Sequence, residues 1–193
     1  FSRYRTGALP LYKRLLKLVD DKDYFVITTN VDGQFEMAGF DAERIFATQG
    51  DYCFFQPASG SPKELYYNKA WVERALPSIH DCRIPTELIP HTPSGMPVSM
   101  NLRCDDTFVE DSHWHRQAKR YNDFVYKASD KSLLLLEFGV GFNTPGIIRF
   151  PFEQMAAQLP DTTLVRFNRD FPQPSLQGIK NYVGITEDVT KII

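Results

Sequence analysis

The sequence predicts an α/β fold, a doubly wound parallel sheet with a small irregular lobe inserted into it. Two regions, one near the start and one in the last third, alternate buried-strand patterns with helical patterns, which is typical of parallel sheets. Between them, seven of the thirteen prolines lie from Pro57 to Pro97, and proline disfavours long helices and central strands because it lacks a backbone N–H. We therefore predict one main domain over 1–52 and 109–193, and a small Pro-rich lobe over 53–108.

The first region has the periodicity of alternating helices and strands. Pro10 fits the first turn of the first helix, where its missing N–H would be unpaired in any case. Apolar spacing and the glycine at position 39 set the other boundaries. The predicted elements are a helix over 9–19, a buried strand over 24–29, a short helix over 31–38 and a short strand over 44–48.

The lobe and the last third follow the same reasoning. The apolar run 133–138 is bounded by Gly139 and has the pattern of a central parallel strand. Asp111 or Ser112 can cap the helix that precedes it. The predicted elements are helices over 64–76, 112–126, 147–159 and 187–193, and strands over 133–138, 164–168 and 182–185, while 100–108 leads back from the lobe.

Composition excludes several classes of protein. The 193 residues include 22 basic and 24 acidic ones, a net charge of −2. So balanced a chain argues against nucleic-acid and membrane-surface binding, which depend on clustered Lys and Arg. No apolar run approaches the roughly 20 residues that a membrane-spanning helix needs. Three cysteines, an odd number, do not form a disulfide framework, so we expect a reducing, cytoplasmic setting.

Polar residues follow the first predicted strand, where ligands bind in open α/β sheets. Asn30 and Asp32 lie two residues apart in the segment 28–33. An amide and a carboxylate can together bind a carboxamide, which needs both a donor and an acceptor. The same pair could instead form a simple Asx turn and helix cap. The segment therefore predicts either a ligand pocket or a turn.

Three further strand ends carry candidate residues. The glycine-rich turn 139–146 can hold phosphate or ribose oxygens on its backbone N–H groups, although a tight strand-to-helix turn has the same pattern. The segment 167–170 lies where nucleotide folds meet a ribose, although a plain polar loop is the alternative. Gln49 follows the second strand; it can orient a hydroxyl or a water but cannot act as a general base.

Together these strand ends resemble the sirtuin family in order and spacing, from Leu9 to the end of the chain. The segment 28–33 resembles the sirtuin signature Thr-Gln-Asn-Ile-Asp-Gly, and Gln49 stands where sirtuins carry a histidine base. The resemblance implies a Rossmann-like NAD-binding domain whose nicotinamide pocket holds Asn30 and Asp32. The residues it assigns to NAD are Thr29, Asn30, Asp32, Gly139, Val140, Gly141, Asn143, Thr144, Asn168 and Gly184. Val140 and Gly141 replace the Thr and Ser of the family's Gly-Thr-Ser turn.

Longer segments resemble the macrodomain-linked class of sirtuins found in bacteria and fungi. These are residues 24–32, 48–52, 84–90, 99–103, 105–111 and 143–148. The resemblance implies a protein ADP-ribosyltransferase that lacks the histidine base. It also implies a lipoyl-carrier protein as substrate and a macrodomain hydrolase that reverses the modification.

Two departures from the family change what we expect. The segments that match the sirtuin zinc loops, 56–61 and 91–95, contain no cysteine, so we expect no zinc. The remaining histidines and cysteines lack ligand spacing, and solvated or core positions are the favoured interpretation. The Gly-Ala-Gly strand and loop that bind the NAD diphosphate have no counterpart from Phe1 onward. We therefore expect a sirtuin domain that is incomplete at its N-terminal end.

The resemblance and the residues lead to one favoured function and two alternatives. The favoured function is NAD-dependent protein mono-ADP-ribosyl transfer, with Asn30, Asp32 and Gln49 as its catalytic residues. The first alternative is a degenerate, non-catalytic nucleotide-binding or interaction module. Lysine deacetylation ranks last, because that reaction uses the histidine base that Gln49 replaces.

Overall fold

The computed structural model describes residues 3–193, so Phe1, at which the sequence begins, and Ser2 lie outside the described residues. Five α-helices and eight strands are found in the described part of the chain. In chain order they are α1 (Pro10–Val19), β1 (Val26–Thr28), α2 (Gln34–Ala38), β2 (Ile45–Ala47), β3 (Gly50–Pro57), β4 (Tyr66–Tyr67), α3 (Lys69–Ala75), β5 (Val98–Leu102), α4 (Ser112–Ala128), β6 (Leu133–Phe138), α5 (Arg149–Gln158), β7 (Thr162–Phe167) and β8 (Asn181–Ile185).

Parallel strands confirm the predicted α/β class. Strand β1 pairs with β2, and β6, β7 and β8 form a second parallel group in that order. Strand β6 has the predicted bounds, but it lies at an edge of the described group and β7 lies at its centre. Leu134 is accordingly 57% exposed. A run of leucines indicates a strand, but the run cannot give the order of strands in the sheet.

An antiparallel sheet follows the first parallel pair, in the order β4-β3-β5. It begins at Gly50, whose φ of +99° suits glycine and whose missing Cβ would lie 2.0 Å from the backbone O of Asn101. Most of this sheet falls in the segment predicted as the Pro-rich lobe, although its longest strand, β3, has no counterpart among the predicted elements. The assignment of 53–108 as a separate lobe stays a prediction.

Local signals explain the helix ends. Pro10 occupies the first turn of α1, as predicted. The Asp111 carboxylate accepts a hydrogen bond from the backbone N of Trp114 at 2.8 Å and so caps α4. Gly39 ends α2 in a left-handed conformation. Helices α1, α4 and α5 lie within two residues of their predicted bounds. The helix predicted over 64–76 begins only at Lys69, because Tyr66–Tyr67 pair with β3 as strand β4. The helix predicted over 187–193 is only a 3-10 turn, Val189–Lys191.

Two clusters of buried apolar residues support the parallel strands. One joins β6 and β7 to α5, and the other packs α1 against β2. The first contains Leu135, Ile148, Phe152, Ala156 and Leu164, and the second contains Leu15, Phe40 and Ile45. In residues 3–193, no helix is long and apolar enough to cross a membrane.

Candidate active site

The loop after β1 contains Asn30 and Asp32. The Asp32 carboxylate accepts a hydrogen bond from the backbone N of Gln34 at 3.2 Å, so the Asx turn that was the simpler interpretation does form. The backbone N of Asn30 donates to the Thr28 hydroxyl at 3.0 Å, and its side chain is exposed. The turn therefore fixes the backbone of the loop and leaves the Asn30 amide at the surface of the molecule.

Tyr12, on α1, faces this loop and was not among the predicted site residues. The Asn30 side-chain amide donates a hydrogen bond to the Tyr12 hydroxyl at 3.2 Å. The Tyr12 ring packs edge to face against Phe35, with the ring centroids 4.9 Å apart. Burial and the nearby Asp32 carboxylate raise the pKa of Tyr12, whereas the bond from Asn30 lowers it. The phenol is therefore neutral at physiological pH. Its position in the helical pattern of α1 gave no signal of this contact.

Arg3 packs against the same loop at Gly33. Gly33 has a φ of +68°, and a Cβ there would lie 2.3 Å from the Arg3 guanidinium. Arg3 pairs with Asp51 at 3.0 Å and with Glu36 at 2.8 Å. These carboxylates lie in the lining of a small pocket that also includes Asn30 and Gly33. Arg3 thus compensates two acidic groups beside the candidate site.

Gln49 connects two of the predicted strand ends. Its side-chain amide donates a hydrogen bond to the Thr144 hydroxyl at 3.2 Å, across 95 positions of sequence. The backbone O of Gln49 accepts from the backbone N of Arg103 at 3.1 Å, which ties it to the antiparallel sheet. The loop after β2 and the glycine-rich turn therefore meet at this contact, although β2 and β6 belong to different parallel groups.

The glycine-rich turn after β6 is open to the surface. Gly139 has a φ of +64° and its backbone N donates to the Phe167 carbonyl at 2.8 Å. A Cβ on Gly141 would have no atom within 4 Å among its described surroundings. Asn143 and Thr144 are exposed. The turn is therefore accessible from the surface, and its assigned role in NAD binding stays a prediction.

Asn168, by contrast, is buried and its side chain is engaged within the protein. Its amide N donates to the Val140 carbonyl at 2.9 Å. Its amide O accepts from the backbone N of Asp170 at 3.1 Å and of Phe171 at 2.9 Å. Asn168 therefore joins the loop after β7 to the glycine-rich turn. Its assigned contact with a ribose stays a prediction.

The two remaining predicted site residues, Thr29 and Gly184, differ in how far they are buried. Thr29 is partly buried directly after β1. Gly184 is exposed in β8, and a Cβ there would lie 2.8 Å from the Pro172 carbonyl. This close approach accounts for glycine at position 184 without a ligand, and its role in NAD binding stays a prediction.

No group of three or more His, Cys, Asp or Glu side chains converges on a metal-sized site within residues 3–193. Cys53 is buried, while Cys82 and Cys104 are exposed and unpaired. Burial, followed by the Asp51 carboxylate, raises the pKa of the Cys53 thiol to about 12. The expectation of no zinc stays a prediction.

Comparison with known structures defines the class of fold. The chain superposes on a Sir2 mutant complexed with a p53 peptide and NAD, with a TM-score of 0.67 at 15% identity, covering 100% of this chain and 70% of that one. It also superposes on a Sir2 homologue in complex with NAD, with a TM-score of 0.62 at 12% identity, covering 97% and 62%. The chain therefore has the Rossmann-like α/β fold of the sirtuins.

Comparison of sequences identifies more specific relatives. A protein ADP-ribosyltransferase of Staphylococcus aureus (strain Mu50 / ATCC 700699) is 30% identical over 184 residues, which are 94% of this chain and 58% of the relative. A probable bifunctional ADP-ribose hydrolase/ADP-ribosyltransferase of Fusarium oxysporum f. sp. cubense is 28% identical over 155 residues, 76% of this chain and 26% of the relative. No protein-family model matches the chain. The chain is thus a sirtuin-like relative of protein ADP-ribosyltransferases and spans about three-fifths of the length of the first.

Proposed function

We propose that this chain carries the catalytic site of an NAD-dependent protein mono-ADP-ribosyltransferase. The observation that most directly supports the proposal is the hydrogen bond between Gln49 and Thr144 at 3.2 Å. It joins the glutamine that stands where the resemblance puts the base of a deacetylase to the glycine-rich turn that the resemblance assigns to NAD. The name of the S. aureus relative supports the same reaction.

Asn30 would bind the nicotinamide carboxamide. Its exposed side-chain amide offers a donor and an acceptor, and the Tyr12 hydroxyl fixes its direction. Asp32 holds the loop through its bond to the Gln34 backbone and adds negative charge beside it. Negative charge near the ribose would stabilise the cationic character that develops there as nicotinamide leaves.

The reaction breaks one bond at the ribose and makes another. The glycosidic bond to nicotinamide breaks with its electron pair staying on nicotinamide. A side chain of the acceptor protein then bonds to the ribose carbon and gives its proton to solvent. Gln49 would orient the ribose hydroxyls or the incoming group, since an amide binds hydroxyls but takes no proton at neutral pH.

The described residues fit NAD at both ends of the candidate site. Asn30 is an exposed amide beside a small pocket. The turn at Gly139–Gly141 is open, with space beside Gly141 for close approach of a backbone-bound phosphate or ribose. Exposed Asn143 and Thr144 add polar groups next to it.

A protein is the proposed acceptor. Solved structures of similar fold contain Sir2 proteins with bound peptides, which supports a protein substrate. A lipoyl-carrier protein as the acceptor, a macrodomain hydrolase as a functional partner and a cytoplasmic setting are finer proposals that rest on the resemblance.

Transfer of labelled ADP-ribose from NAD to candidate acceptor proteins tests the proposal. We expect labelled acceptor with the wild type, and a loss of about 100-fold or more with Asn30→Ala, because a misplaced substrate slows reaction by roughly that factor. Gln49→Ala should reduce transfer while Gln154→Ala, on the exposed side of α5, leaves it unchanged. Binding of NAD without cleavage by the wild type would favour the non-catalytic module. Equal transfer by Asn30→Ala would overturn the assignment of the site.

A further inference from the structure

Four charged side chains form a buried cluster between β6, β7 and α5. They are Glu137, Arg149, Glu153 and Arg166, each at most 1% exposed. The Arg166 guanidinium donates to both oxygens of Glu137, at 2.6 and 3.0 Å, and lies 2.8 Å from Glu153. Arg149 lies 3.8 Å from Glu137 and 3.7 Å from Glu153. The charges of the four groups balance within the cluster.

Glu153 also binds the backbone of the loop that follows β7. The backbone N of Ser175 donates to its carboxylate at 3.0 Å, and that of Leu176 at 2.9 Å. Both residues are exposed, so a buried charge on α5 fixes a stretch of chain that otherwise lies at the surface.

The arginines bind the same loop through its carbonyl groups. The Gln173 carbonyl accepts from Arg149 at 2.7 Å and from Arg166 at 3.0 Å. Arg149 also donates to the Phe171 carbonyl at 3.3 Å and to the Val140 carbonyl, in the glycine-rich turn, at 3.4 Å. One guanidinium therefore contacts both loops at the edge of the sheet.

Aromatic contacts reinforce the connection between the two loops. Phe142, from the glycine-rich turn, packs edge to face on Phe171, with ring centroids 5.1 Å apart. The Arg149 guanidinium lies 4.4 Å from the centre of the Phe142 ring. The Phe142 ring therefore contacts both Arg149 of the cluster and the Phe171 ring of the second loop.

Stability alone does not account for such a cluster. Burying four charges costs desolvation free energy, and apolar side chains of similar size often serve the fold equally well. The burial also lowers the pKa of Arg149, and the neighbouring Arg166 charge lowers it further. Apolar side chains could not, however, hold the main-chain groups of Phe171, Gln173 and Ser175.

We propose that Arg149 and Glu153 are positioning residues that hold the loop 168–176 against the turn 139–141, and thereby set the affinity of that turn for the phosphate or ribose groups of NAD. The inference rests on the proposed function, since it assigns a role at the same site. It assigns no contact between these buried side chains and the ligand. Arg149 and Glu153 affect ligand binding only by holding Val140 and the loop after Asn168 in place.

The test compares an apolar double variant, Arg149→Met with Glu153→Leu, with Gln154→Leu on the exposed side of the same helix. Amide hydrogen exchange of the loop, binding of ADP-ribose by calorimetry, and kcat and KM for NAD are measured on each purified protein. Loss of a charged hydrogen-bond partner costs a free energy that corresponds to a change of roughly tenfold or more in an equilibrium constant. We expect the double variant to speed exchange at Ser175 and Leu176 by that factor, and to raise KM and the Kd for ADP-ribose similarly, with kcat within about twofold.

Glu153→Gln provides the second variant, should the double variant not fold, because it keeps one acceptor oxygen and the shape of the side chain. Faster loop exchange with unchanged ADP-ribose affinity would overturn the proposal, as would a fall in kcat alone. If the wild type neither binds ADP-ribose nor cleaves NAD, the proposed function itself fails and this proposal fails with it. Equal binding of ADP-ribose by the wild type and the variants would instead overturn this proposal and leave the proposed function standing.

Discussion

Replacement of Glu137 tests how far the stability of the protein depends on the charge balance of the buried cluster. Glu137 and Arg166 are completely buried, and the carboxylate accepts two hydrogen bonds from the guanidinium, at 2.6 and 3.0 Å. Glu137→Met leaves two arginines against one glutamate in a site without solvent. Breaking a buried pair in this way costs about 3–5 kcal/mol of the free energy of unfolding. For a domain of this size the same loss lowers Tm by roughly 6–20 °C.

The double variant Glu137→Met with Arg166→Met supplies the matched control. It restores charge balance, because Arg149 and Glu153 remain 3.7 Å apart. We expect its free energy of unfolding to lie within about 2 kcal/mol of the wild type, since apolar replacement of a whole buried pair is often neutral. Urea denaturation followed by circular dichroism measures all three proteins. A single variant that loses less than about 1 kcal/mol, or a double variant less stable than the single one, would refute the reasoning.

Three further predictions concern the neighbourhood of the candidate site. Tyr12→Phe removes the hydroxyl that holds the Asn30 amide, so NAD cleavage should fall about fivefold to tenfold while the free energy of unfolding changes by about 1 kcal/mol or less; an unchanged rate would show that the contact is not used. Gly50→Ala places a Cβ 2.0 Å from the Asn101 carbonyl at a φ of +99°, so a urea titration should show a loss of about 2 kcal/mol or more, and a smaller loss would contradict the close approach. Cys53 is 3% exposed and its pKa is raised to about 12, so it stays a protonated thiol at pH 8; Ellman's reagent should then modify the other two cysteines first, and rapid reaction of all three would contradict the buried position.

The elements of the parallel region were largely predictable from the sequence. Strand β6 was predicted with its observed bounds, and α1 and α4 within two residues of theirs. These segments have strong periodicity and clear end signals such as Pro10 and Asp111. The contact of Gln49 with Thr144 had no such local signal, because it joins residues that follow strands of two separate parallel groups.

Other features depend on contacts that no local pattern records. The position of β6 at an edge, and the contact of Tyr12 with Asn30, come from tertiary packing. The buried cluster did leave a signal. Glu137 and Arg166 are each the second-last residue of a strand and follow an apolar run in it, and they pair directly in register. Opposite charges at equivalent positions of two successive predicted strands are therefore the sequence signal of this ion pair.

The most direct test of the central claim is a product assay in which the protein meets NAD, an acceptor protein and an acetyl-lysine peptide together. We expect nicotinamide release that depends on Asn30, one ADP-ribose on the acceptor for each nicotinamide released, and no deacetylated peptide. Mass spectrometry of the acceptor and the peptide reads both outcomes in one mixture. Robust deacetylation of the peptide with an unmodified acceptor would contradict the role given to Gln49 and the proposed reaction.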